Sequence, residues 1–315
     1  MMIALDFERP ILELERKIEE LRGVTSDKEV LLRLEQELER KKAEVYRNLT
    51  AWQKVKIARH PKRPFTLDYI SLMLSEFREL RGDRLFGDDR ALVAGLARID
   101  GQKIMVMGHQ KGRDTKENLL RNFGCAHPEG YRKALRLMQL AQKFNAPILA
   151  LVDTPGAYPG IGAEERGQAQ AIALNLREMV TIAVPIIVVI IGEGGSGGAL
   201  GIGIGDRVCV MENAYYSVIS PEGCAAILWK DSAKADQAAE ALRLTAPELL
   251  KLGIIDDIVL EPQGGAHRNP DEAAKNLKNT IKKHLEELKK IPTDKLLSSR
   301  YQKYRKIGVF SCPAS

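Results

Sequence analysis

Residues 192–198 read Gly-Glu-Gly-Gly-Ser-Gly-Gly, directly after the apolar run 186–191. Four kinds of chemistry can use this stretch or the turn at 153–158. Gly192, Gly194 and Gly197 match the G-x-G-x-x-G spacing of a dinucleotide loop, and Glu212 stands where a ribose-binding acid would lie. Gly194, Ser196 and Gly198 match G-x-S-x-G, the elbow that presents a nucleophilic serine. His267 or His284 would then serve as base, oriented by Asp256 or Asp257. Asp153 to Gly156 matches the D-x-x-G of GTPases, but no G-x-x-x-x-G-K-[ST] exists to cradle phosphates. The fourth reading uses the backbone. Glycines leave amide N–H groups uncovered, and the helix that follows adds the positive end of its dipole. Preorganised donors aimed at an oxygen that gains negative charge form an oxyanion hole. Gly156, Ala157 and Tyr158 follow another apolar run and offer a second turn of this kind. Two such turns suit chemistry in which carbonyl oxygens become enolate-like. The same glycines could also serve only tight helix–strand packing.

The elements that must position these turns alternate between strand and helix. Residues 92–99 and 102–107, joined by Asp100-Gly101, predict a hairpin with a type I′ turn. Residues 108–130 lack periodicity and read as a long surface loop. Pro128 opens a helix with Ala134, Leu137, Met138, Ala141 and Phe144 on one face. The apolar run 147–152, a helix over 163–180, the run 186–191, a short helix over 199–204 and a strand over 207–211 complete an α/β core. Before it, Ile11, Leu14, Ile18, Leu21, Leu31, Leu34, Leu38 and Val45 trace the seam of a helical hairpin, restarted by a capping box at 26–29. Thr66 predicts the cap of a helix running through Phe77. After the core, Ser220, Thr245 and Asn269 predict further helix starts, and 254–259 a short strand. The expected organisation is a helical arm over 1–60, a core over 61–262 and a helical extension over 263–315.

Composition narrows the classes. The chain has 315 residues with 44% hydrophobic, 29% charged, 5% aromatic and 26 glycines. That is a globular balance, and the net charge of +6 fits a phosphate-bearing partner without requiring one. Cys125, Cys209, Cys224 and Cys312 form no C-x-x-C pair, so a zinc site is not expected and a reducing cytoplasm is. No apolar run is long enough to span a bilayer, and no nucleic-acid-binding motif is present.

Together, residues 86–89 (FGDD), 108–112 (GHQKG), 122–124 (NFG), 153–160 (DTPGAYPG), 163–168 (AEERGQ), 192–200 (GEGGSGGAL) and 217–224 (SVISPEGC) resemble the carboxyltransferase α-subunit family of bacterial acetyl-CoA carboxylase. The resemblance runs from Phe7 to about Gly308. It implies a crotonase-like α/β fold of repeated ββα units. It implies transfer of a carboxyl group from carboxybiotin, held on a biotin carboxyl carrier protein rather than on this chain, to acetyl-CoA, giving malonyl-CoA. It also implies a carboxyltransferase β subunit as partner, an α₂β₂ assembly and an active site between the subunits. By that resemblance Gly197 and Gly198 hold the ureido oxygen of biotin, and Gly156 and Ala157 supply the other turn. Gly194, Gly195, Ser196, Tyr158 and Arg166 then fall on the biotin side. His109, Lys111 and Arg113 are candidates for CoA phosphates or the carrier protein, and Cys224 for packing.

Overall fold

The computed structural model describes residues 5–23 and 28–308. Cys312 and the first residues of the capping box at 26–29 lie outside them. Helices α1 (Arg9–Arg22) and α2 (Lys28–Arg47) form the expected hairpin. Only α1 buries residues fully, Ile11 and Ile18. Glu8, just before α1, is also buried. Tyr46 donates to it at 2.5 Å, and His267 and Arg268 stand at 3.6 and 3.7 Å. Burial opposes its charge, but these three partners outweigh burial and hold the carboxyl at about 2. A carboxyl depressed in the folded state stabilises fully above its unfolded value, 4.5, and loses that contribution as pH falls toward 2. Hydrogen-exchange protection of residues 9–22, corrected for the intrinsic rate at each pH, is therefore expected to fall below pH 4.5. In Glu8→Gln this acid step should be absent.

Helix α3 (Ala51–Ala58) starts with a capping box made by Thr50 and Gln53. In α4 (Thr66–Met73), Thr66 is the first helical residue rather than the cap. Its hydroxyl donates to the His109 carbonyl, and Asp68 accepts the Phe65 N–H. The helix stops at Met73. Phe77, expected on its face, lies instead in strand β1 (Ser75–Glu79), antiparallel to β2 (Leu92–Ile99). Gly95 permits that pairing, since a Cβ there would stand 2.1 Å from the Arg78 carbonyl oxygen. Strands β2 and β3 (Gln102–His109) form the expected hairpin, with Asp100 at φ 46° and Gly101 at φ 80°. The region 108–130 is not a plain loop. β3 runs on through His109, Asp114 caps α5 (Thr115–Leu120), and α6 (Pro128–Lys143) begins at Pro128. Phe144 falls one residue beyond α6 and is exposed, whereas Ala134, Leu137, Met138 and Ala141 are buried.

Strand β4 (Ile148–Thr154) leads to α7 (Ile161–Glu165) and α8 (Gln168–Thr181). One helix is expected here; Gly167, at φ 81°, divides it. Strand β5 (Ile186–Gly195) leads to α9 (Ser196–Leu200), β6 (Arg207–Met211) and β7 (Tyr215–Ser217). Then follow α10 (Pro221–Trp229), α11 (Ala235–Ala241), α12 (Ala246–Lys251), β8 (Asp257–Val259), α13 (Pro270–Lys289) and α14 (Thr293–Arg305). Ser220 and Asn269 cap as expected, and Gly253 ends α12 at φ 68°. Thr245 precedes α12 without a side-chain cap, and Glu248, the other half of the expected capping box, pairs with Arg243.

The strands form one sheet in the order β1-β2-β3-β4-β5-β6-β8, with β7 beside the end of β5. Pairing is antiparallel up to β3 and parallel beyond it. Helices α4 and α13 pack together, and α6 packs on α8, β2 and β3. Every residue of β4 and β5 is buried, so both sheet faces are covered. The C-terminal helices belong to this core: Leu277, Ile281, Leu285, Leu288 and Leu296 join its main cluster. Arg300 of α14 is fully buried, with Nε and Nη2 on Asp206 at 2.8 and 2.7 Å. It also donates to the carbonyls of Met179, Ile182 and Val184, tying α14 to the end of α8 and the start of β5.

Candidate active site

Parallel pairing sets Thr154 at the end of β4 opposite Gly194 near the end of β5. The two glycine-bearing turns therefore leave the same end of the sheet side by side. In the first turn, Thr154 Oγ1 donates to the Gly156 carbonyl at 2.7 Å and accepts the Gly156 N–H at 3.1 Å. That spends the Gly156 donor. Among the described residues, the Ala157 N–H has no protein acceptor. Tyr158 donates its N–H to Ala126 and stacks its ring on His127 at 4.0 Å.

The second turn differs from the expected glycine loop. Residues 192–195 continue β5 as buried strand, with Gly194 and Gly195 paired to Tyr216 and Ser217 of β7. Gly194 and Gly195 thus allow close packing of backbone: a Cβ on Gly195 would stand 2.2 Å from the Pro155 carbonyl oxygen. Only from Ser196, at φ 52°, does the chain turn outward into α9. α9 has 5 residues, so its dipole is that of little more than one turn. Its first N–H groups, on Ser196, Gly197 and Gly198, have no acceptor inside the helix. A Cβ on Gly198 would lie 2.4 Å from Gly156 C and 2.5 Å from Ala157 N, so the two turns touch backbone to backbone. A Cβ on Gly197 would come no nearer than 3.8 Å to any atom, and one on Gly156 would meet nothing within 4 Å. Gly156 therefore faces open space, and Gly197 leaves room for a methyl in ordinary contact with Ile172. Beside Gly197 lies a mainly apolar cavity of about 320 Å³, lined by Ser196, Gly197, Leu200, Tyr216, Val218 and Ile307 among others.

The remaining candidates are held by other partners. Arg166 donates to Glu129 at 2.5 Å, and its guanidinium lies 4.6 Å from the Phe86 ring. Arg113 reaches Asp68 and the carbonyls of Pro61 and Arg63. His109 is fully buried, and burial together with the charge of Lys111 lowers its pKa to about 3, leaving the imidazole neutral. Cys224 is buried, as packing requires. The serine-elbow reading lacks a base. His267 stacks on His60 at 4.0 Å under α1, and His284 bonds Asp257 at 3.1 Å on α13. Neither lines the cavity beside Ser196. The dinucleotide reading fails because its glycines lie largely in a strand, while the Glu212 carboxylate accepts the Glu261 N–H. Among the described residues, no group of three or more His, Cys, Asp and Glu is placed to hold a metal ion, and no helix is long and apolar enough to cross a membrane.

A buried ionic network beneath the turns was not foreseen. Lys111 Nζ donates to Asp153 at 2.7 Å and to Glu193 at 2.8 Å. Glu193 also accepts from Arg59 Nε and the Tyr215 hydroxyl, each at 2.6 Å, and Arg59 continues to Glu222. Burial opposes both charges. Asp153 and Glu193 nevertheless raise Lys111 to about 12, while Lys111, Arg59 and Tyr215 hold Glu193 at about 2. The signal was present in the sequence: a charged residue stands inside each apolar strand end that bears a glycine turn.

The profile described as acetyl co-enzyme A carboxylase carboxyltransferase-like matches residues 4–308. The chain is 58% identical over 311 residues to the acetyl-coenzyme A carboxylase carboxyl transferase subunit alpha of Geobacter metallireducens, covering 98% of each. It is 56% identical to the same subunit of Halalkalibacterium halodurans, covering 99% of this chain and 97% of that one. Among solved structures, transcarboxylase 12S superposes with a TM-score of 0.55 at 20% identity, over 79% of this chain and 42% of that one. The β subunit of geranyl-CoA carboxylase from P. aeruginosa gives 0.54 at 16% identity, over 84% and 48%. These two likenesses establish the crotonase-type fold. The chain therefore belongs to the acetyl-CoA carboxylase carboxyltransferase α-subunit family, whose biotin-dependent reaction transfers a carboxyl group to acetyl-CoA, gives malonyl-CoA for fatty acid synthesis and requires a β subunit.

Proposed function

We propose that the touching turns form a single face of backbone donors, with the N–H groups of Gly197, Gly198 and Ala157 aimed at the oxygens that gain charge during transfer. The backbone contact between Gly198 and Ala157 carries this reading. It holds donors from two strands at a fixed spacing before substrate arrives, which is the preorganisation that makes an oxyanion hole effective. Gly156 has no side chain where the face is open, and Gly197 leaves its N–H uncovered beside Ile172. Biotin, when bound, supplies the carboxyl group and a ring nitrogen able to take up a proton from the acetyl methyl. The chain's task is then to hold oxygens and exclude misalignment, and it needs no dedicated acid–base pair of its own. Tyr158 and Arg166 border the first turn on the biotin side, and Ser196 contributes its N–H.

Biotin arrives on a separate carrier protein, and the active site lies between α and β subunits of an α₂β₂ complex in the cytoplasm. Two features support a shared site. Leu200, Val218 and Ile307 rim the cavity and are exposed in the single chain, as at surfaces covered by a partner. Lys111 and Arg113 are engaged internally, so CoA phosphates fall to the β subunit. The direct test is co-expression with a β subunit and measurement of malonyl-CoA formed from carboxybiotin and acetyl-CoA. Activity should appear only in the complex. Ser196→Ala should cost no more than about tenfold, whereas loss of a nucleophile costs more than about 10⁴-fold. A loss on that larger scale would reinstate a serine mechanism.

A further inference from the structure

The geometry points to Lys111 as a positioning residue for carboxyl transfer, one that fixes the spacing of the two donor turns by bridging the strands that carry them. The inference rests on the two-turn reading above. Asp153 is three positions before Gly156, and Glu193 is four before Gly197. Both carboxylates bond one ammonium, at 2.7 and 2.8 Å. Asp153 Oδ1 also accepts the Glu193 N–H at 2.9 Å, so side chain and backbone lock the same pair of strand ends. The surroundings leave little slack. A Cβ on Gly192 would stand 2.4 Å from Asp153 Oδ1, and one on Gly124 would stand 2.8 Å from Lys111 Cγ. Gly124 is at φ 81°, which lets the backbone bend around the lysine stem. On the far side Glu193 is held by Arg59 and Tyr215, so it cannot follow Asp153 if the bridge is cut.

Without Lys111 the two carboxylates face each other in a buried site. Like charges there repel, and one of them takes up a proton or the strand ends part. Either change shifts the Gly198–Ala157 contact that sets the donor face. An error near 1 Å in such a site costs on the order of a hundredfold in rate. The position of Lys111 beneath the turns, rather than on the open face, places the loss in kcat and not in substrate binding.

The test uses the complex with the β subunit. Lys111→Met should lower kcat about a hundredfold while KM for acetyl-CoA changes by less than about threefold. Lys111→Met/Glu193→Gln removes the charge conflict, which keeps the experiment readable if the single variant folds poorly. This pair should melt above Lys111→Met, though below the parent because Asp153 lacks its ammonium partner, yet remain at least about tenfold slow. Recovery of rate together with stability would overturn the inference and leave Lys111 as charge balance only. Gly198→Ala, run in parallel, separates the two levels. If it is slow while Lys111→Met is not, only the lysine bridge fails. If Gly198→Ala keeps the parent rate, the reading of the turns fails instead.

Discussion

A single methyl group added at Gly198 is expected to slow carboxyl transfer by about 10²- to 10³-fold, the usual effect of losing one oxyanion donor. The Cβ of Gly198→Ala would lie 2.4 to 2.5 Å from backbone atoms of Gly156 and Ala157. Backbone cannot rotate away as a flexible side chain can, so the turns must separate. The displaced donors belong to both turns at once. Overpacking of this kind also costs roughly 1–3 kcal/mol of stability, so the variant should fold but melt earlier than its parent. The larger Gly198→Val variant should lose transfer altogether. Gly197→Ala is the matched control for stability, because its methyl would meet nothing nearer than 3.8 Å. Its melting temperature should equal the parent's. Steady-state malonyl-CoA formation with thermal melts of both complexes checks the pair. Near-parental rate in Gly198→Ala would show that the contact between the turns does not govern the chemistry.

Replacing Arg300 with Met should be the most damaging change to stability, at about 3–5 kcal/mol. The guanidinium is fully buried and bonds Asp206 through two nitrogens. The substitution leaves Asp206 without that partner and the carbonyls of Met179, Ile182 and Val184 without their donor. Asp206 keeps only the Ile186 N–H among its described side-chain partners. Chemical denaturation should show the loss, together with a fall of roughly 10 °C in melting temperature. Arg300→Met/Asp206→Asn should recover part of it, since an amide in place of the carboxylate removes the uncompensated charge. If the single variant loses less than about 1 kcal/mol, water reaches Asp206 and the clamp is not buried in solution.

The elements whose signals are local were legible in the sequence. The Asp100-Gly101 hairpin, the caps at Ser220 and Asn269 and the stop at Gly253 all depend on a few adjacent residues. The two glycine turns were legible because glycine after an apolar run has few uses. Their detailed form was not. Glycine is disfavoured in strands, yet β5 keeps glycines through Gly195 because the Pro155 backbone lies where a side chain would be. The break at Gly167 was missed because an isolated glycine is compatible with a continuing helix. Arg63 shows a harder limit. It is fully buried, bidentate on Glu261 and bonded to the Ile191 carbonyl, but 198 positions separate it from Glu261. Local pattern cannot pair residues so far apart, and a charge destined for the interior looks like one on the surface. Arg59 and Glu193 escaped assignment for the same reason, and Lys111, expected to meet CoA phosphates or the carrier protein, is instead bonded to Asp153 and Glu193.

The buried clamp at Arg300 bears on when this protein can become functional during its own synthesis. The sheet and both glycine turns are complete in sequence by residue 259, where β8 ends. The charge that balances Asp206 arrives only with α14, about 40 residues later. At about 5–20 residues per second, the interval between the two is a few seconds. During it the emerging chain carries its donor turns but not the residue that locks α8 to β5. Subunit capture in that interval would meet a core still able to open. A chain that already carries α14 presents a core locked between α8 and β5.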